Sequence, residues 1–173
     1  KAFENAVIVA SAIGGSSNCT THLSAIAKHM GIKFDLSNWQ KLGHEIPLLV
    51  NCQPAGEYLM ESFYRAGGVP AVMQELIKHK KIHTKIMTVS GKTVGNNLKR
   101  KIETDKKVIK PFEDCLTEKA GFLVMKSNFF NSAIMKTSVI SKDFRERYLS
   151  NPKQPNAFVG KAVVFEGPED YHK

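Results

Sequence analysis

The apolar positions of the first segment, residues 2–13, run continuously from Val7 to Ala10. A continuous apolar run indicates burial on more than one side and fits either a helix or a core strand, so both remain open. The sequence Gly-Gly-Ser-Ser-Asn at 14–18 ends this segment. Apolar residues then recur at positions 23, 26, 27 and 30, a spacing that predicts an amphipathic helix capped by a serine or the asparagine.

Glycine and proline positions divide the following residues into further short elements. Helical spacing of apolar residues predicts helices, and compact apolar runs predict strands. The predicted helices lie at 35–42, 57–65, 69–78 and about 94–101, and the predicted strands lie at 46–50 and 86–89.

The pattern changes after a polar, charged stretch at residues 103–119. Beyond this stretch the chain is richer in short apolar runs bounded by turn residues, a pattern typical of strands. The predicted strands lie at 121–126, 133–138 and 161–165, with a basic helix at 143–149.

This change of pattern predicts an α/β fold in two parts. Residues 1–110 are expected to form an α/β N-terminal unit. Residues 111–173 are expected to form a linker and the opening strands of a β-rich C-terminal domain, because domain boundaries tend to fall in exposed polar segments.

Composition indicates a folded chain. Apolar residues make up 42% of the 173 residues, which is enough for a core and excludes disorder along the whole length. No apolar run is long enough to cross a bilayer, and the start at Lys1 has no signal-peptide pattern. We expect an internal piece of a longer intracellular protein, located in the cytoplasm or, as the alternative, in mitochondria.

The positive charge is concentrated in one segment. Residues 76–110 hold 11 Lys and Arg against 2 Asp and Glu, which equals the whole formal excess of +9. Such a segment is typical either of a solvated basic face or of a domain that binds nucleic acid or another anion. The segment has no Phe, Tyr or Trp on which bases could stack, and this absence favours the solvated face.

The loop at 14–18 is the most suggestive local feature. Glycines allow a backbone to approach a ligand closely, and a helix that begins after them offers free N–H groups and a favourable dipole for an anion. The simpler interpretation is a tight turn followed by a helix cap, and the pattern alone favours neither. His22, one turn into the predicted helix, would face the same site or serve a structural role.

The three cysteines, Cys19, Cys52 and Cys115, have no metal-ligand spacing. An odd number of scattered cysteines indicates reduced thiols in an intracellular protein. Buried structural thiols are therefore favoured over a cluster site.

Several stretches in order resemble one family. Residues 10–23, ASAIGGSSNCTTHL, are similar to the GGSTN segment of the dihydroxy-acid dehydratase and phosphogluconate dehydratase family. Residues 46–72, which contain RAGG, resemble the family's segment ending in HRAGG, and residues 87–98, with SGKT, resemble the next one. These matches cover nearly the whole chain in the family's order.

The last third resembles one branch of that family. Residues 127–141, SNFFNSAIMKTSVIS, and residues 156–172, NAFVGKAVVFEGPEDYH, are similar to the aldonic-acid branch, which includes arabinonate and xylonate dehydratases. Ser127 stands where the family usually has glycine. The resemblance implies a hydro-lyase that converts a 2,3-dihydroxy acid into a 2-keto-3-deoxy acid.

The resemblance also implies an iron–sulfur cluster as Lewis acid, Mg²⁺ on the carboxylate and 2-hydroxyl, and a serine alkoxide that removes the proton from carbon 2. The family's motifs for the cluster cysteines, most magnesium ligands and that serine are not in these 173 residues. We therefore expect no catalytic and no metal-binding residue here, and no activity from the isolated chain. The complete enzyme is expected to be a dimer or tetramer.

Five residues remain as candidates for substrate binding. The family's GGSTN motif matches this chain at Gly14, Gly15, Ser16 and Asn18, with Ser17 in place of Thr. The predicted contacts to a small sugar-acid substrate are Gly15, Ser16, Ser17, Asn18 and His22. Neither a nucleic acid nor a membrane is expected as a partner, although the basic segment 76–110 keeps nucleic-acid or anion binding as the alternative function.

Overall fold

The computed structural model describes residues 1–129, 131–148, 150–153 and 161–172. The chain forms two compact units, Lys1–Val139 and Ile140–Lys173. In the first unit the elements are α1 (Ala2–Ala12), α2 (Asn18–His29), α3 (Leu36–Gly43), α4 (Met60–Arg65), α5 (Gly68–Lys78), α6 (Val94–Asn97), β1 (Phe122–Met125) and β2 (Ala133–Lys136), with 3₁₀ turns at Phe112–Asp114 and Thr137–Val139.

The described part of the second unit contains two helices. They are α7 (Lys142–Tyr148) and α8 (Pro168–Tyr171). None of the helices in the described ranges has both the length and the apolar character that a membrane crossing requires. Helices together with a two-stranded antiparallel sheet confirm the predicted mixed α/β class.

Helix α1 lies between two groups of buried side chains, which explains its continuous apolar run. Val7 and Ala10 pack with Trp39 in one group, whereas Ile8 and Ala12 pack in the other, larger group. A helix with apolar residues around most of its circumference must be buried on several sides. The structure therefore decides the open question at residues 2–13 in favour of a helix.

The smaller core joins α3 to the β1–β2 hairpin. The rings of Trp39 and Phe122 meet edge to face with centroids 5.0 Å apart, and both side chains are fully buried. The amide of Val124 donates to Oε1 of Gln40 over 2.6 Å. At Gly121 the backbone runs so close to Gly43 that a Cβ would lie 1.9 Å from the Gly43 carbonyl oxygen. Only glycine fits this crossing.

Three predicted strands are wrong. Residues 46–50 are buried but make only isolated bridges, Leu48 with Thr117 and Val50 with Ile109. No continuous ladder forms because the opposing chain is interrupted by Pro111 and the 3₁₀ turn. Residues 86–89 likewise make one bridge, and residues 161–165 have no regular structure within the described ranges.

The helix predictions are confirmed except at their ends, and residue 149, the predicted end of the basic helix at 143–149, lies outside the described residues. Helix α4 begins at Met60 rather than at 57, and α6 ends at Asn97 rather than near 101. The strands predicted at 121–126 and 133–138 form the β1–β2 hairpin, in which Phe122 faces Lys136 and Met125 faces Ala133. In this chain the hairpin packs with α3, within the first compact unit. The domain boundary near residue 110 in a longer protein stays a prediction.

Candidate functional site

The two glycines of the 14–18 loop terminate α1. Gly14 has a φ of +63°, in the left-handed region. Its amide donates to the Ser11 carbonyl over 3.1 Å, and the Gly15 amide donates to the Ala10 carbonyl over 2.7 Å. This pair of bonds is a Schellman motif, which ends a helix by satisfying its last carbonyls. A Cβ on Gly14 would also lie 2.9 Å from Leu48 Cδ1, so both backbone angle and space require glycine.

The start of α2 differs from the predicted cap. Ser17 occupies the cap position but makes no side-chain cap bond. Ser16 Oγ instead accepts from the Asn18 amide over 3.2 Å, and the Cys19 and Thr20 amides donate to the carbonyls of Ser16 and Ser17. These amides are therefore unavailable to a ligand. The N–H groups of Ser16 and Ser17 have no partner among the described residues and remain available.

The loop borders a cavity in the first unit with a volume of about 620 Å³. Its lining is mainly apolar, with polar groups from the loop, Gln53 and one lysine. The lining residues are Ile13, Gly14, Gly15, Ser16, Ser17, Val50, Cys52, Gln53, Pro54, Met60, Phe63, Lys136 and Val139. A cavity that combines apolar walls with a few convergent polar groups is typical of a small-molecule site.

Lys136 is the charged residue in that lining. It lies at the end of β2 and is half-buried. Burial lowers the pKa of Lys136, and the nearby Cys19 opposes this effect. No carboxylate among the cavity-lining residues balances this desolvated ammonium. The lysine therefore favours an anionic ligand, because the attraction between ammonium and anion strengthens where water is excluded.

A buried hydroxyl near the loop lacks a partner. Ser138 is 8% exposed, and its Oγ makes no hydrogen bond within the described residues. It lies 3.6 Å from the position that a Cβ on Gly14 would occupy. Buried polar groups are rarely left unpaired, so this hydroxyl adds to the polar character of the loop's surroundings.

The five predicted contacts divide into two sets. Gly15, Ser16 and Ser17 line the cavity. Asn18 begins α2 and His22 lies one turn further along, and both are exposed outside the lining. The structure thus brings three of the five together at the cavity.

Sequence reasoning missed Lys136 and the apolar wall of the cavity. A signal for Lys136 was present, since alternation in the strand puts it on the same face as Ile134, which packs against the smaller core. A lysine on the inward face of a strand is unusual. The apolar contribution of Met60 and Phe63 had no such signal, because it depends on where α4 packs.

Two of the three thiols lie in surroundings that disfavour metal ligation. Burial raises the pKa of Cys52, whose Sγ donates to the Leu59 carbonyl over 3.6 Å. Burial and the charge of Glu118 also raise the pKa of Cys115. Metal ligation requires thiolates, which these surroundings disfavour. Across the described ranges, the only close group of three candidate ligands contains no cysteine, and no carboxylate lines the cavity beside the loop.

Comparison with known proteins gives consistent matches. The family profile for the dihydroxy-acid/6-phosphogluconate dehydratase N-terminal region matches residues 1–97. D-xylonate dehydratase of Caulobacter vibrioides is 49% identical over 173 residues, covering 100% of this chain and 29% of that protein. L-arabinonate dehydratase of Rhizobium leguminosarum bv. trifolii is 39% identical over 174 residues, covering 99% of this chain and 28% of that protein.

A third relative extends the similarity beyond the sugar-acid enzymes. Dihydroxy-acid dehydratase of Caldicellulosiruptor saccharolyticus is 38% identical over 172 residues, covering 98% of this chain and 29% of that protein. The chain thus spans less than a third of the length of these curated relatives. The profile match and the identity along the whole chain agree with the motifs at 10–23 and 46–72, and the chain belongs to the dihydroxy-acid/6-phosphogluconate dehydratase family.

Proposed function

We propose that the chain is part of a hydro-lyase that dehydrates a sugar (aldonic) acid, or another 2,3-dihydroxy acid, to a 2-keto-3-deoxy acid. One observation of the structure carries this proposal. The cavity beside the 14–18 loop has the cationic Lys136 in its lining and two free amides, those of Ser16 and Ser17, at its edge. These groups suit a small anion that also carries hydroxyl groups.

The names of the relatives narrow the substrate class. The protein named D-xylonate dehydratase is 49% identical to this chain, against 38% and 41% for two proteins named dihydroxy-acid dehydratase. We therefore favour a five-carbon aldonic acid over the branched-chain dihydroxy acids as the substrate.

The steps of the dehydration define how the cavity must orient the acid. A base removes the proton from carbon 2, the C–O bond at carbon 3 breaks, and one water molecule leaves. The resulting enol then takes a proton at carbon 3 and becomes the 2-keto acid. In our proposal Lys136 binds the carboxylate, and the amides and hydroxyls of Ser16 and Ser17 orient the hydroxyl groups nearby. Fixed orientation of the acid favours loss of the correct hydroxyl.

The chemistry at the reacting carbons is assigned to residues outside this chain. The family resemblance implies an iron–sulfur cluster and Mg²⁺, which help a poor leaving group and a weakly acidic C–H. We propose that their ligands and the catalytic base lie beyond these 173 residues. Burial raises the pKa of the Cys52 and Cys115 thiols, which disfavours the thiolate form that cluster ligation needs and supports this assignment.

An assay of the complete protein tests the proposal. The protein, prepared without oxygen and with Mg²⁺, is given D-xylonate, L-arabinonate or 2,3-dihydroxy-3-methylbutanoate, and the 2-keto product is trapped and measured. We expect product from at least one aldonic acid at a higher kcat/KM than from the branched acid. Absence of a 2-keto product from every acid, in protein with its metals bound, would contradict the proposed reaction.

A further inference from the structure

A second group of titratable side chains lies away from the cavity beside the loop. Glu75 lies in the last turn of α5, His79 directly follows that helix as its C-cap, and Glu113 belongs to the 3₁₀ turn. One ligand atom from each residue lies within 4.8 Å of the others. The three residues border a cavity of about 520 Å³ that shares no lining residue with the cavity beside the loop.

We propose that Glu75, His79 and Glu113 bind a divalent transition-metal ion, with Zn²⁺ as the best fit. Imidazole nitrogen and carboxylate oxygen are both zinc ligands in proteins, and water would complete a tetrahedral site. Glu75 and His79 have i, i+4 spacing at the C-terminal end of α5, which places both side chains on the same side of the helix end.

The distances agree with such a site. Nε2 of His79 lies 3.1 Å from Oε1 of Glu113 and 3.7 Å from Oε1 of Glu75. Zinc bonds of about 2.0–2.2 Å at a tetrahedral angle separate the nitrogen and oxygen ligands by about 3.4 Å. The two observed distances bracket this value, so small side-chain rotations are enough to receive the ion.

Phe112 holds two of the ligands in position. Its amide donates to Oε1 of Glu75 over 3.0 Å, and its ring stacks on the His79 imidazole with centroids 4.3 Å apart and an angle of 15° between the planes. Second-shell contacts of this kind fix ligand orientation. Glu75 is 12% and His79 25% exposed, whereas Glu113, at 71%, is free to adjust.

The lysines around Glu75, His79 and Glu113 affect which cation the three residues can bind. Lys78 pairs with Oε2 of Glu75 over 2.6 Å, and Lys110 pairs with Asp114 over 3.2 Å. Lys101 and Lys106 also border the cavity. These cations disfavour Ca²⁺ and Mg²⁺, whose binding depends on several negatively charged oxygen ligands. Zinc instead gains much of its affinity from direct bonds to nitrogen.

The simpler interpretation is an ion pair in which a protonated His79 bridges the two carboxylates. The ion pair requires no metal and makes the opposite prediction for zinc binding. Burial alone would raise the pKa of Glu75, but hydrogen bonds from Lys78 and the Phe112 amide, with the charges of Lys78 and His79, hold it below its ordinary value.

Zinc titration of the chelator-treated 173-residue chain tests the proposal, using an indicator that competes for Zn²⁺. We expect one ion per chain, and we expect His79→Gln and Glu113→Gln each to weaken binding by at least the roughly 10- to 100-fold typical of losing a supporting residue. Glu113→Gln should fold like the parent chain, because this side chain is mostly exposed, so a loss of zinc affinity in this variant cannot be attributed to misfolding. The matched control is His83→Gln, since His83 contacts a single carboxylate, that of Glu4, over 2.6 Å.

Substitution with Co²⁺ identifies the ligand atoms. Nitrogen and oxygen ligands give weak visible bands, whereas thiolates add intense near-ultraviolet charge-transfer bands. The proposal predicts the first spectrum, with its loss in His79→Gln. The site would be refuted by thiolate bands at one equivalent of Co²⁺, by absence of stoichiometric Zn²⁺, or by equal zinc affinity in the parent chain and in His79→Gln.

Discussion

Single residues at the 14–18 loop combine structural and proposed binding roles. Gly14 closes the Schellman motif of α1. This structural role is enough to explain why glycine occupies the position in the Gly-Gly-Ser-Ser-Asn sequence. Ser16 accepts the Asn18 amide, while Ser17 makes no cap bond. Ser17 is therefore the residue at which a binding role separates most cleanly from a structural one.

The first prediction is that Ser17→Ala lowers turnover in the complete enzyme while leaving its melting temperature nearly unchanged. Loss of a true serine cap costs about 1 kcal/mol, but the Ser17 side chain makes no such bond here. Kinetics and thermal melting of each variant provide the measurement. Thr21→Ala is the control, because Thr21 is exposed on the same helix outside the cavity. A fall in stability with unchanged turnover per folded molecule would make the loop purely structural.

The second prediction concerns the pH dependence of stability. The hydrogen bond with His83 lowers the pKa of Glu4 in the folded chain. The stabilisation is therefore present above the unfolded carboxyl pKa of about 4.3 and is lost as pH falls through the lower folded value. Urea unfolding of the 173-residue chain at pH 6 and pH 3 should show a smaller loss for Glu4→Gln than for the parent. Equal losses would mean that this pair contributes nothing.

At the scale of elements, periodicity predicted the helices because their apolar faces are local properties of the sequence. The strand prediction at 46–50 was wrong because strand pairing is not a local property of the sequence. Its apolar residues are buried as predicted, but pairing depends on a distant segment that Pro111 and the 3₁₀ turn interrupt. The cavity could not be predicted from the sequence, because Phe63 and Lys136 come together with the loop only through packing of α4 and β2.

The third prediction tests the crossing of α3 and the hairpin. Gly121→Ala should strongly destabilise the chain, because a Cβ would lie 1.9 Å from the Gly43 carbonyl oxygen and neither backbone can move away cheaply. Gly31→Ala is the matched control. Gly31 has a φ of +67° with nothing within 4 Å of an added Cβ, so only about 1–2 kcal/mol of backbone strain is expected. Similar urea midpoints for the two variants would contradict this packing.

At the scale of the whole molecule, the described residues form a cavity of small-molecule size beside the 14–18 loop. The cavity lining holds a lysine and no carboxylate, and burial raises the pKa of the Cys52 and Cys115 thiols. The motif matches predicted the family, and the profile match over residues 1–97 confirms it. The substrate contacts stay a prediction, since Asn18 and His22 lie outside the cavity while Lys136 was found only in three dimensions.

The fourth prediction is that the isolated 173-residue chain assembles no iron–sulfur cluster and dehydrates no aldonic acid. The cluster needs several converging thiolates, and the close ligand group within the described ranges is made of Glu75, His79 and Glu113. Anaerobic reconstitution followed by absorbance, iron and sulfide analysis checks this. A stoichiometric cluster bound through Cys19, Cys52 and Cys115 would overturn it.

The most direct test of the central claim is the kinetics of Lys136→Met in the complete enzyme with an aldonic acid as substrate. A hydrogen bond to a charged group contributes about 1.5–3 kcal/mol, so kcat/KM should fall by about 10- to 100-fold, mainly through KM. Lys126→Met, at an exposed lysine just after β1, should match the parent. If the parent turns over the acid and Lys136→Met retains the parent kcat/KM, the cavity beside the 14–18 loop does not bind the substrate carboxylate.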